Sequence, residues 1–225
     1  MLFRSLLPLF TAIDRAAGDG DLRGILHQLR EGLGLVPGAT DVAIPPPLRA
    51  RLKGLGVRAG RFALFMPILL KPRAMALRAR LWAIWHGARL PSLPPAGRIS
   101  LPMPPDWAPD IAAAMGWLRV GATLLRLDIA EQLAAELAHA TRRGPAILPP
   151  HLPGRLGITA PLLPDTLRAL GFRMISATSD PHTLYGPPAP PMLVPLHRRR
   201  AAPAPATPPP APPQGAFAAL AALRT

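Results

Sequence analysis

Residues 57–87, VRAGRFALFMPILLKPRAMALRARLWAIWHG, constrain this chain more than any other stretch. Their first half is apolar and partly β-like, through Val57, Phe62, Leu64 and Phe65, and Pro67 interrupts it. Pro72 is placed to open a helix that runs to His86, and Gly87 stands where a helix stops. Leu77, Leu81, Ile84 and Trp85 recur at the spacing of one helical face. Arg73 and Arg80 flank that stripe on one side and Arg78 on the other, while Ala79 and Ala83 make the opposite side small. A helix apolar or small nearly all round belongs at the centre of a domain. The stripe is therefore predicted to face the core, each large side chain contributing about 1.5–3 kcal/mol on burial.

The rest of the chain divides around it. Helices are predicted over 5–17, 21–32 (Asp21 as N-cap) and 45–54, the last opened by prolines. Residues 90–107 are proline-dense and hold one short strand at 98–101. A short helix is expected at 111–115, and 117–127 reads as two strands around Gly121. A helix over 128–140 follows, with Asp128 and Glu131 in the spacing of a capping box. Residues 150–156 and 162–170 are short helices, the second stopped by Gly171, and Pro164 fits only in its first turn. Residues 172–177 and 183–185 are expected to pair as a hairpin. Helix 128–140, two short helices and a hairpin have the order of a winged-helix unit. The fold class is thus mainly α with a few short strands. It divides into a helical accessory domain (1–127) centred on helix 72–86, a winged-helix-like unit (128–187) and a disordered Pro/Ala-rich tail (188–225).

Charge points to an anionic partner. Lys and Arg number 26 against 12 Asp and Glu, a formal charge of +14. Only Lys53 and Lys71 are lysines and asparagine is absent, so GC-rich coding also contributes to the arginine count. The cations that cluster are Arg49, Arg51, Lys53, Arg58, Arg61, Lys71 and Arg73, then Arg142 and Arg143, then Arg198, Arg199 and Arg200. Within the tail, Phe217, Leu220 and Leu223 lie three apart, a pattern suited to docking in a groove.

Several chemistries are excluded. The chain has no cysteine, hence no disulfide, thiolate site or cysteine nucleophile, in keeping with a reducing cytoplasm. It contains neither a P-loop nor a G-x-S-x-G elbow, and its six histidines show no metal-ligand spacing. No apolar run reaches the ~20 residues a membrane span needs. Residues 1–13 imitate a signal peptide only faintly and read as a helix with a buried face. No catalytic residue and no cofactor of its own is assigned.

One resemblance covers roughly residues 5–225. GVRAGRFALFMPILLKPRAMALRARLWAIWHG resembles the post-helicase C-terminal region of bacterial helicases related to the mitochondrial degradosome RNA helicase. There a GVRFG run and an ALLKP run precede a helix ending in LWA and HG. GRISLPMPPDWAPDIAAAMGW, LLRLDIAEQLAAEL, LPGRLGITAPLLPDTLRALGFR and FAALAALR are similar to later pieces of that region, in the same order. Members of that family begin with two RecA-like domains carrying the catalytic motifs, which this sequence lacks. The resemblance therefore implies a non-catalytic nucleic-acid-binding region, truncated or split from a helicase, with RNA favoured over DNA. ATP and Mg would enter only if another chain supplied the core. The alternative is a scaffold that docks a protein partner through its tail.

Overall fold

In the computed structural model, residues 11, 20–38, 44–108, 110–175 and 190–196 are described. Among them helix predominates, but nine short strands form three antiparallel three-stranded sheets, so the class is mixed α/β.

The chain opens with α1 (Gly20–Glu31), which buries Leu22, Leu26 and Leu29 at helical spacing. Next come β1 (Leu35–Pro37), α2 (Pro46–Gly54), β2 (Arg58–Ala59) and β3 (Ala63–Phe65). Pro45, at the cap of α2, and Pro46, at its start, suit a turn whose first amides have no helical partner. A 3₁₀ turn (Pro67–Leu70) leads into α3 (Pro72–Trp85). Then follow β4 (Ser100–Pro102), α4 (Ile111–Ala114), β5 (Trp117–Val120) and β6 (Thr123–Arg126), the last two folded about Gly121 as expected. The third part is α5 (Leu127–Ala140), β7 (Ala146–Ile147), α6 (Leu152–Leu156), a 3₁₀ turn (Ala160–Leu162), α7 (Leu163–Ala169), β8 (Phe172–Ile175) and β9 (Met192–Pro195). Pro164 does lie in the first turn of α7, and Gly171 follows that helix at φ +87°, a conformation that favours glycine. In all three sheets the strand latest in sequence is central: β1-β3-β2, β4-β6-β5 and β7-β9-β8.

Four expectations need correction. The stripe of α3 does not face the core: Leu81, Ile84 and Trp85 are 37%, 78% and 86% exposed, and the helix buries Ala74, Met75, Arg78, Ala79 and Ala83 instead. Its small face permits closer approach, and it packs with Ile111, Met115 and Trp117 in one apolar cluster. Second, the described partner of β8 is β9, in a stretch read as linker, with Arg173 opposite Val194 and Met174 opposite Leu193, while the expected partner 183–185 lies outside the described residues. Third, residues 192–195 are no linker. Leu193 is fully buried in the core of this part, where it outweighs the prolines on either side. Fourth, Asp128 and Glu131 form no capping box. Asp128 lies inside α5 and pairs with Arg126 at 2.7 Å, and Glu131 reaches across to another segment. Of predicted helix 5–17 only Thr11 is described, and it is helical.

Glu131 joins the first and third parts. Its carboxylate accepts the backbone N–H groups of Arg61 (2.5 Å), Phe62 (2.6 Å) and Ala63 (3.1 Å). Gly60 lies against that carboxylate so closely that a Cβ would collide with it.

Candidate functional site: an apolar groove beside a basic surface

The inversion of α3 creates the most distinctive surface of the molecule. Its last two turns form one wall of a groove of about 990 Å³. The facing walls are the end of α1 with β1 (Glu31–Pro37) and the start of α4 (Asp110, Ala113, Ala114). Leu81, Ile84 and Trp85 line it while exposed, so the groove is apolar and open. Trp82, half-buried, stacks on His86 with ring centroids 4.3 Å apart, and the His86 Nδ1 lies 3.0 Å from the Trp82 carbonyl.

Arg78 closes the base of the groove. It is 6% exposed and donates to the carbonyls of Leu33 and, at 3.4 Å, Ala114, tying the two facing walls to α3. Among the described residues no carboxylate pairs with it. Burial pushes its guanidinium down to about 10, because the charged form is poorly solvated there. A buried cation held only by carbonyl dipoles orients the walls without neutralising itself.

The loop after α3 is pinned. Asp106 accepts the Ser92 N–H (2.7 Å) and hydroxyl (2.8 Å), and the Trp107 indole donates to the Ser92 carbonyl (2.9 Å). The Ser92 backbone bond, then its hydroxyl, hold the Asp106 carboxyl below the usual range. Leu90 and Leu93 remain exposed on this loop.

The cations singled out in the sequence fall in separate places. Arg49, Arg51 and Lys53 on α2 and Arg58 on β2 are exposed, and their two elements pack together across the Leu55–Gly56 turn. Around α2, Arg49 and Lys53 share a side and Arg51 faces away. Lys71 and Arg73 are exposed at the start of α3. Arg142 and Arg143, exposed after α5, line a second cavity of about 540 Å³ with His139. Arg61 is half-buried, and its guanidinium lies over the rings of Phe62 (5.9 Å) and Phe172 (5.5 Å). Arg198, Arg199, Arg200, Phe217, Leu220 and Leu223 lie outside the described residues.

Three acidic side chains pair with other arginines. Asp128 holds Arg126 at 2.7 Å, Glu136 holds Arg155 at 2.8 Å and Asp165 holds Arg168 at 2.6 Å. Among the described residues Arg49, Lys53, Arg58, Lys71, Arg73, Arg142 and Arg143 carry no ion pair. Reading the sequence missed the groove, because its lining was assigned to the core. The available signal was that α3 has two faces able to be buried, one small and one large. No group of three or more His, Asp or Glu able to hold a metal occurs among the described residues, and none of their helices is long and apolar enough to cross a membrane. No protein-family model, curated protein or solved structure matches the chain.

Proposed function

We propose that this chain is a non-catalytic, cytoplasmic nucleic-acid-binding accessory module of the helicase-related kind its sequence resembles. The observation that carries the reading is the order of the third part. Helix, strand, helix, helix and two strands, with sheet order β7-β9-β8, support reading this part as winged-helix-like. The exposed cations without acidic partners supply the charge that phosphates attract.

The chemistry of α7 restricts what such a unit could read. Thr166 is buried, and its hydroxyl donates to the Leu162 carbonyl at 2.9 Å. Asp165 and Arg168 engage each other. Few side chains remain to reach base edges, so binding would run through phosphate contacts, independent of sequence and sensitive to salt. RNA is favoured over DNA on the resemblance.

Fluorescence anisotropy with a labelled single-stranded RNA at several salt concentrations tests this. The chain should bind at low salt, with log affinity falling steeply against log salt. The Arg49→Glu/Lys53→Glu/Arg58→Glu variant should bind more weakly, with a shallower slope. Absence of binding at low salt would sink the proposal.

The groove favours a second reading, a protein-docking scaffold. Truncation separates the two only if it begins after Leu196, since removing β9 takes the central strand from its sheet. RNA binding surviving loss of 197–225 fits the first reading, and partner capture that depends on Ile84 and Trp85 in the groove or on the tail fits the second.

A further inference from the structure

The outer face of α3 stays apolar where it borders the groove. Leu77, Leu81 and Ile84 recur at i, i+4 and i+7 with Trp85 beside them, and Ile84 and Trp85 are almost fully exposed. That spacing is how an amphipathic helix anchors itself in an apolar groove. α3 is therefore both a wall of the groove and a helix of the kind such a groove accepts.

Charge points the same way. The chain has 26 Lys and Arg against only 12 Asp and Glu, yet two of those acids, Glu31 and Asp110, line the groove. The ion pairs that the described residues give them are with histidines, His27 at 3.7 Å and His86 at 4.0 Å, which are charged only when protonated. The apolar stripe of α3 is flanked by Arg80, which is exposed and has no ion pair among the described residues. The helix thus carries the cation that the rim of the groove lacks.

We propose that this groove is a two-fold interface between two copies of the chain. The stripe of each α3 enters the groove of the other copy, and Arg80 of one copy faces Asp110 of the other. Register supports the pairing. Two α3 helices crossing antiparallel at the level of Ala83 and Ile84 set Arg80 of one copy level with Gly87 of the other. Asp110 lies near that level, since its carboxylate is 4.0 Å from the imidazole of His86. A two-fold axis makes each contact twice, so one stripe and one charge pair serve both copies. Ile84 and Trp85, withdrawn from water at the centre, supply the affinity, and the Arg80–Asp110 pairs at the rim fix the orientation. The inference rests on the protein-docking reading of the groove and is independent of the nucleic-acid one.

Sedimentation equilibrium of the full chain, treated with nuclease, tests this without RNA, so its outcome leaves the RNA-binding test untouched. A reversible monomer–dimer equilibrium is expected in the micromolar range. Ile84→Asp/Trp85→Asp changes side chains too exposed for the fold to depend on, and should weaken the dimer about a hundredfold or more. Arg80→Glu and Asp110→Arg should each weaken it several-fold by setting like charges together, and the double variant Arg80→Glu/Asp110→Arg should restore it. Hydroxyl-radical oxidation of Trp85 should slow as the chain is concentrated through the dimer range. A monomer at every concentration would overturn the proposal, as would assemblies that grow beyond a dimer or dimers indifferent to Ile84→Asp/Trp85→Asp. A double charge variant no tighter than its single parents, or a Trp85 oxidation rate independent of concentration, would overturn it too.

Discussion

Helices α3 and α5 have the same length, 14 residues, and both carry an apolar pattern, yet they orient by opposite rules. In α5 the large side chains point in: Leu127, Leu133 and Leu137 are buried with Ala130 and Ala134, and the charged and amide side chains point out or reach a partner. In α3 the large side chains point out, and Ala74, Ala79 and Ala83 point in with Met75 and Arg78. The difference teaches that hydrophobic periodicity establishes that a helix has a preferred face, while the neighbour decides which face is buried. α5 meets a core of leucines and Phe172 that accepts bulk. α3 meets Trp117, Met115 and Ile111, which already fill the space and leave room for alanine. The bulk left over builds the groove.

The comparison can be sharpened by substitution, starting with the largest effect. Leu133→Ala in α5 should cost about 2–5 kcal/mol, because a buried leucine is replaced by a cavity. Denaturant midpoints check this, and a loss below about 1 kcal/mol would break the account of α5 as the buried helix. Glu131→Ala should cost about 2–3 kcal/mol. It strands the part-buried N–H groups of Arg61, Phe62 and Ala63, which a charged acceptor now satisfies. Glu131→Gln should cost less, since its carbonyl still accepts.

Arg78→Met tests the buried cation on α3. It removes two carbonyl bonds together with the desolvation cost of a charge, so the net change should stay within about 1 kcal/mol of zero. Its pH dependence has a definite sign. The guanidinium in the fold loses its proton near 10 and the unfolded one only at higher pH, so between the two the unfolded state binds more protons. Stability of the unaltered chain relative to Arg78→Met should therefore rise with pH through that window. A fall would contradict desolvation as the cause. The smallest effect belongs to Ile84→Ser, which alters a side chain 78% exposed and should cost less than about 1 kcal/mol. A loss equal to that of Leu133→Ala would mean that the outer face of α3 carries as much stability as the inner face of α5.

Much of the local structure was legible. Pro46, Pro72, Gly121 and Gly171 mark where elements begin, turn or stop, because proline fixes φ and glycine admits positive φ. Leu133 and Leu137, four apart, are both buried, as helical spacing expects, whereas Ala140, three further on, is exposed. Less was legible at longer range. β7 has only two residues, too few to show a pattern, and its partner β9 lies in a stretch that reads as polyproline linker. Arg61 was read as a phosphate contact, and its guanidinium also lies over two aromatic rings, one of them 111 positions away in Phe172. The basic surface was legible as a list of residues but not as an arrangement, since their pairing depends on where the few acids fall.

By itself the sequence determined helix positions, turn sites and the excess of positive charge. Each follows from residue identity or from spacings of three and four. Only the tertiary structure decided that α3 buries its small face, that Glu131 serves a distant loop rather than its own helix end, and that β9 is the centre of a sheet. The physical reason is common to all three. Burial and hydrogen bonding are settled by the best available partner, and in each case that partner is tens of residues away.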